Sequence, residues 1–397
     1  MKKPELLSPA GSPETALAAA RFGADAVYAG GSLLQLRAKS AGFTEEQLFE
    51  TSETLHAMGK KFYVTVNSFA KSREEEALAA YARLLEEAKI DAAIVSDPGV
   101  IALFREKAPG LELHLSTQAN CLNHMAARVY HGMGIRRIVL ARELTLSEIA
   151  EIREKTPPDL ELEVFAHGAM CMAYSGRCLI SSFLAGRSGN RGECAQPCRW
   201  SYALTEEKRP GEFFPLFEEE GKTAILSSHD LSTLSFLGEI RKTGVDAVKI
   251  EGRMKTAYYV ATVTRAYRLA LDGLWPTALL EEELSAVSHR PYSRGFYYAE
   301  EQTDPQNDGL YRQTHRIAAA VLGRENGLLR VEQRNPFSLG DRLELLKPGL
   351  PGESFRLTYM TTGDGTPAEK APHPRENLLI ACPFRAEKGD MLRIRAD

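Results

Sequence analysis

Glu5-Leu-Leu-Ser8-Pro-Ala-Gly-Ser12-Pro-Glu-Thr-Ala-Leu-Ala-Ala-Ala-Arg-Phe22-Gly-Ala-Asp25-Ala-Val-Tyr-Ala29 places two apolar runs and one helix start signal within 25 residues. Ser12 is a helix cap, Pro13 has the fixed φ suited to the first helical position, and Glu14 sets a negative charge against the amide end of the helix dipole. The alanine-rich segment 13–22 therefore reads as a helix, and the flanking runs 5–8 and 25–29 read as strands. The turn between them, Ser8-Pro9-Ala10-Gly11-Ser12-Pro13, lacks the Gly-x-Gly-x-x-Gly pattern that seats a pyrophosphate on a helix N-terminus. This unit points away from a dinucleotide-binding sheet.

The alternation repeats along the chain. Further strands are expected at 61–67, 91–96, 111–116, 137–141, 162–167 and 247–251, with helix-length segments between them. Eight strands in regular β/α alternation predict an α/β fold, a TIM-type (β/α)8 barrel, with an open doubly wound sheet as the runner-up. The length of 397 residues exceeds what one hydrophobic core usually serves, so a second, smaller domain is expected. No run approaches the roughly 18 apolar residues of a membrane span. The opening Met1-Lys2-Lys3-Pro4-Glu5 has no signal-peptide core, and a cytoplasmic protein is the expectation. A formal net charge of -4 argues against a surface coated in positive charge for nucleic acid. A local exception is the stretch 176–200, where Arg177, Arg187, Arg191 and Arg199 oppose Glu193 alone.

In a barrel of this type the carboxyl ends of the strands converge on one mouth, where chemistry is placed. Here those ends are polar: Ser8, Tyr28, Asn67, Asp97, Gln118 with Asn120, Arg142 with Glu143, His167, and Lys249 with Glu251 and Arg253. Period two puts Lys249, Glu251 and Arg253 on one face, opposite Val248 and Ile250. Buried charges need partners, so these are expected to pair with one another or with Arg142 and Glu143. A structural ion-pair network and a reactive site both fit that pattern. Lys249, Glu251 and His167 are the catalytic candidates. Arg142, Arg253, Asn67, Gln118, Arg177 and Arg199 are the substrate-binding candidates, the arginines because a guanidinium recognises carboxylate and phosphate alike.

Four of the six cysteines, Cys171, Cys178, Cys194 and Cys198, fall in one 28-residue stretch. Their gaps of six, fifteen and three residues match neither the paired knuckle of a structural zinc site nor the short regular gaps of bacterial ferredoxins. Four thiols on an irregular loop suit an iron-sulfur cluster best, with zinc as the alternative and inert or disulfide-bonded thiols as the remaining one. His167, four residues before Cys171, reads as a packed or hydrogen-bonding side chain rather than a ligand. The loop is long enough to lid the barrel, with a hairpin expected from 200–204 and 224–227 around a polar tip.

Beyond the last barrel strand, helices are expected at 257–272 and 279–287, and from 295 onward short alternating strands separated by turn signals such as Glu325-Asn326-Gly327. The expected organisation is a barrel over 1–255 with a cysteine-rich lid at 168–226, a helical segment at 256–294 packing on the barrel, and a small C-terminal β domain at 295–397 whose 314–397 part forms a small β-barrel.

The stretch Glu163-Val-Phe-Ala-His-Gly-Ala-Met-Cys-Met-Ala-Tyr-Ser-Gly-Arg-Cys-Leu-Ile-Ser-Ser182 resembles the signature of the collagenase-like peptidase family U-32. Asn190-Arg-Gly-Glu-Cys-Ala-Gln-Pro-Cys-Arg-Trp200, Lys249-Ile-Glu-Gly-Arg-Met-Lys255, Leu7-Ser-Pro-Ala-Gly-Ser-Pro-Glu14 and Leu115-Ser-Thr-Gln-Ala-Asn120 resemble its other blocks. Within the family the resemblance is greatest to the branch connected with prephenate-dependent formation of 5-hydroxyuridine at the tRNA wobble position. It implies tRNA as partner, prephenate or a related small carboxylate as co-reactant, and a 4Fe-4S cluster on the four cysteines. Other branches are connected with ribosomal RNA and quinone-precursor hydroxylation, and the family name with peptide hydrolysis. The chain carries no Gly-x-Ser-x-Gly elbow and no His-Glu-x-x-His helix to support a peptidase. One departure is Ser227-Ser-His-Asp-Leu231, where relatives commonly have lysine in place of His229.

Overall fold

The computed structural model describes residues 3–35, 42–170, 175–200, 229–298, 311–349 and 352–396. By contact density the chain divides into two units, one of Met1–Ala20, Ala24–Lys255 and Arg290–Tyr311, the other of Arg21–Gly23, Thr256–His289 and Arg312–Asp397.

The first unit is the barrel. Its parallel strands are β1 (Glu5–Ala10), β2 (Ala26–Gly30), β3 (Lys61–Val66), β4 (Ala92–Val95), β5 (Glu112–Leu115), β6 (Arg137–Val139), β7 (Glu161–Ala169) and, after the short β8 (Asp230–Ser232), β9 (Ala247–Ile250). Each pairs with the next, and β9 closes the ring by pairing with both β7 and β1. The outward positions bury Val27, Val64, Ala93, Leu113, Ile138 and Val248 completely or nearly so, as expected of strands covered by helices on one side and a filled barrel on the other. Inside, Leu7, Ala26, Tyr28, Tyr63, Ala92 and Ile94 form one cluster. Side chains cap the helices: the Ser12 hydroxyl read as a start signal accepts from the Thr15 amide at 3.3 Å, Asp97 caps Pro98–Lys107, accepting from the Gly99 amide at 2.8 Å, and Thr145 forms a capping box with Glu148.

Two features differ from the expectation. Strand β6 is shorter than 137–141, because the Ala141 amide leaves the ladder to bond the Cys121 carbonyl at 3.1 Å. Strand β7 runs past the barrel rim to Ala169, and this extension pairs antiparallel with β8, which in turn pairs with β10 (Tyr292–Ser293). Gly168 makes the extension possible: its φ is 111°, and a Cβ there would lie 2.5 Å from the Glu251 carbonyl oxygen. Of the cysteine-rich loop, residues 175–200 form the short helix Ile180–Ala185 and two 3-10 turns, Gly189–Arg191 and Pro197–Arg199. Cys171 and nearly all of the expected hairpin lie outside the described residues.

The second unit combines helices Ala257–Asp272 and Thr277–Ser285 with an antiparallel sheet. Its strands are β11 (His315–Glu325), β12 (Leu328–Gln333), β13 (Phe337–Ser338), β14 (Arg342–Leu346), β15 (Glu353–Arg356), β16 (Met360–Thr362), β17 (Lys370–Ala371), β18 (Asn377–Ile380) and β19 (Met391–Arg395). Seven of them form one sheet in the order β15-β14-β19-β11-β12-β18-β16, over a core that includes Val331, Leu343, Leu345, Leu378 and Leu392. The β11–β12 hairpin turns at Asn326 and Gly327, both with positive φ (50° and 82°), as the Asn-Gly pair predicts.

Candidate functional site

A cavity of roughly 1240 Å³, open solvent at its mouth included, lies at the carboxyl ends of the barrel strands. The chain places its walls there by simple rules. Tyr28, Thr65, Phe165 and Lys249 alternate inward from β2, β3, β7 and β9, while Asn67, Arg142, Glu143, Glu251 and Arg253 follow directly on strand ends. Gln118 sits on the 3-10 turn Thr117–Ala119, whose cap Ser116 accepts from the Gln118 amide at 3.3 Å. The cysteine-rich loop completes the wall with Ser175, Gly176, Cys178, Cys194 and Cys198. Asn67, Gln118, Arg142, Lys249, Glu251 and Arg253, all expected from sequence, are thus brought together.

Their partners are not all the expected ones. The Lys249 ammonium pairs with Glu163 at 3.2 Å, both side chains almost fully buried, and lies 4.2 Å from the Tyr28 ring centroid. Burial pushes the pKa of Lys249 down, while the charge and hydrogen bond of Glu163 pull the other way. Glu163 also receives Arg137 at 3.3 Å, and Arg137 in turn bonds Glu5 at 2.6 Å and Glu161 at 2.6 Å. A charged column therefore runs up the barrel interior and ends at Lys249. Glu251 accepts from the Tyr28 hydroxyl at 2.9 Å. Burial first, then the Glu251 charge, push the Tyr28 pKa well up, so the hydroxyl remains a donor. Arg253 donates to Thr65 at 2.9 Å and to Gln35 at 3.4 Å. Arg142 donates to the Ala169 carbonyl at 2.9 Å, with its guanidinium 4.0 Å from the Phe165 ring centroid. Glu143 does not reach Lys249; it accepts from the Ser175 amide at 2.8 Å and so ties the cysteine-rich loop to the barrel.

Cys178, Cys194 and Cys198 are free thiols, and all three face this cavity. Among the described residues no three His, Cys, Asp or Glu side chains form a group that could hold a metal ion. The donor set nevertheless fits a thiolate-bound group. The Gln196 amide donates to the Cys194 sulfur at 3.3 Å, the kind of bond that stabilises a ligating thiolate. Gly176, with φ 72°, approaches Gln118 so closely that a Cβ would lie 2.1 Å from its carbonyl oxygen, which holds the segment before Cys178 against the mouth. Cys121 stands apart: it is buried, and burial pushes its thiol up to about 11.

Three expectations fall elsewhere. His167 does not line the cavity: the β7–β9 register shifts between Phe165 and His167, and the ring packs 5.3 Å from that of Tyr292. Arg177 is exposed and outside the lining, and the side chain of Arg199 lies outside the described residues. His229 is also outside the lining; its carbonyl accepts from the Met170 amide at 3.3 Å. Sequence reasoning missed Glu163, Arg137 and the buried pair Asp230–Arg290 at 2.7 Å. A lone acid inside the apolar run Leu162–Phe165 was the available signal for Glu163.

Comparison with known proteins places this architecture in a lineage. The description "Peptidase family U32" matches residues 11–307, and that of the family's C-terminal domain matches residues 313–393. The tRNA hydroxylation protein P of Escherichia coli (strain K12) is 37% identical, across 100% of this chain and 97% of its own. The 23S rRNA 5-hydroxycytidine C2501 synthase of the same organism is 38% identical over 68% of this chain and 39% of its own. A protein named Collagenase from Porphyromonas gingivalis is 34% identical over 78% of each chain. The residues that resembled that signature, the barrel they build and both matched regions agree: this chain belongs to peptidase family U32.

Proposed function

We propose that the chain is a tRNA-modifying iron-sulfur protein needed for hydroxylation of the wobble uridine to 5-hydroxyuridine, with prephenate or a related small carboxylate as co-reactant. The observation that carries this function is the meeting of Cys178, Cys194 and Cys198 with Arg142, Lys249 and Arg253 in one cavity. Similarity to tRNA hydroxylation protein P over almost the full length of both chains supports the substrate class.

Cys178, Cys194 and Cys198, with Cys171 from outside the described residues, would hold the group, with zinc as the alternative occupant of the same donors. When bound, a 4Fe-4S cluster supplies one-electron transfer. Arg253 and Arg142 take the carboxylate of the co-reactant, and Lys249, paired with Glu163, adds a point charge. The Asn67 Oδ1 is buried without a hydrogen-bond partner among the described residues. It accepts the N3–H of a uracil turned out of its stack into the cavity, beside Gln118. Glu251, oriented by the Tyr28 hydroxyl at 2.9 Å, stands in the cavity as the proton-accepting carboxylate. The exposed Arg177 and Trp200 meet the RNA backbone and a stacked base; Arg199 is assigned to the same contact from its place in the sequence.

The relative named Collagenase makes peptide hydrolysis the second function to weigh. Among the described residues, the loop serines Ser175 and Ser181 bond Glu143 and the Ala195 amide, and neither bonds the histidine that would activate it. Mass spectrometry of tRNA nucleosides from a deletion strain, with and without the gene restored, tests the assignment. 5-Hydroxyuridine and its derivatives are expected to vanish and return. Unchanged levels in a host without redundant enzymes would reject it.

A further inference from the structure

The C-terminal sheet carries charges that the proposed chemistry does not use. In the β14–β15 register Arg342 stands directly opposite Arg356. In the β14–β19 register Leu343 faces Ile394, which sets Arg342 beside Arg395 one step along. Arg395 in turn faces His315 on β11. Four neighbouring strands thus present Arg356, Arg342, Arg395 and His315 in a single row, and all three arginines are exposed.

Like charges directly opposite one another weaken a sheet. Among the described residues none of these three arginines forms an ion pair. Of the acids closest in register, Glu344 pairs with Arg393 at 2.5 Å and lies 3.9 Å from His315, and Glu353 pairs with Lys347, so none pairs with the three arginines among the described residues. His315 reports the same local field. Its pKa is held below the usual value by burial first and Arg393 next, with Arg395 adding to the effect. A chain of net charge -4 thus retains three adjacent uncompensated cations on a flat surface. Strands lie about 4.8 Å apart, so the three positions span about 10 Å. Neighbouring phosphates of one strand lie roughly 6 Å apart, so three of them span about 12 Å, within reach of three long arginine side chains on such a row. All three are arginine, whose planar fork matches phosphate oxygens two at a time.

We propose that the row Arg356–Arg342–Arg395 is a phosphate-binding edge by which the C-terminal unit holds the RNA backbone. It rests on the assignment of tRNA as substrate and adds where the RNA is gripped outside the cavity. The test compares the full-length protein with its Arg342→Ala/Arg356→Ala/Arg395→Ala variant in binding unfractionated tRNA over a series of salt concentrations. Each phosphate contact contributes a slope of about 0.7 to 0.9 in log K against log salt. The variant is expected to lose about 2 from the slope and at least tenfold in affinity at low salt, with a melting temperature no lower than that of the unaltered protein. A triple Arg→Lys variant keeps most of the slope. Wild-type slope and affinity in the triple alanine variant would overturn the edge and leave the hydroxylation function standing. Failure of the unaltered protein to bind tRNA at all would reject both. Binding to phosphatidylglycerol vesicles that depends on the arginines, without such dependence for tRNA, would assign the row to a membrane surface and also overturn it.

Discussion

Glu163 holds two cations at once, Lys249 above and Arg137 below, and it does so almost without solvent. Glu163→Gln leaves Lys249 without its carboxylate and is expected to destabilise the barrel by about 3 kcal/mol, read as a lower urea midpoint. Adding Lys249→Met removes the uncompensated charge and should recover part of that loss. If Glu163→Gln matches the unaltered protein in stability, the column is not held as described. Glu5, at the foot of the same column, gives a pH signature. Burial pushes its carboxyl up, but the hydrogen bond and charge of Arg137, with Lys61 and Tyr63, more than offset this and bring it to about 2. The folded chain therefore releases this proton more readily than the unfolded one. Its contribution, on the order of 3 kcal/mol, is complete above pH 4.5 and is lost as pH falls toward 2. Glu5→Gln should be less stable at neutral pH, with the gap to the unaltered protein narrowing between pH 4.5 and 2; a gap independent of pH would contradict the shift. Period two along the last strand placed Lys249 on the cavity wall, whereas Glu251 and Arg253 reach it from the turn that follows Ile250. It could not name Glu163 as partner, because pairing depends on which strands become neighbours after closure.

The cysteine-rich loop is the element on which the proposed chemistry turns. Its cysteine clustering was legible because thiols so close together are uncommon, and three of them do reach one cavity. What sequence could not supply was the anchoring: Gly176 against Gln118, Ser175 on Glu143, and β7 running past the rim to meet β8. A three-residue strand such as β8 has too few positions to show an alternation, so it was invisible beforehand. His167 failed as a cavity residue for a related reason, since strict period two does not survive the register shift after Phe165. For the loop the expected outcome is that anaerobically purified protein is brown, with about four irons and matching sulfide. Cys178→Ala should lose the colour and soften the loop in hydrogen exchange, because metal binding and local folding are coupled. Colourless protein with one tightly held zinc would replace the cluster by the alternative occupant.

At the scale of the whole chain, the regular β/α alternation predicted the barrel because short apolar runs recur between helix-length segments. The eight expected strands all form, with ends displaced by a few residues where loops take over backbone bonds. The turn signals likewise announced the antiparallel sheet of the second unit, though not the register that aligns its arginines. The central claim is that one barrel-mouth cavity joins thiols and buried cations to modify tRNA. Its most direct measurement is the ratio of 5-hydroxyuridine to uridine in tRNA from a deletion strain carrying either the unaltered gene or Arg253→Ala. Arg253 donates to the Thr65 and Gln35 side chains, and its proposed role as a ligand-binding residue predicts that its removal spares the fold and the iron content. The predicted result is full restoration by the unaltered gene and at least a hundredfold lower ratio with Arg253→Ala, from protein of normal colour and stability. Equal restoration by both would contradict the claim and make the charged mouth a structural network.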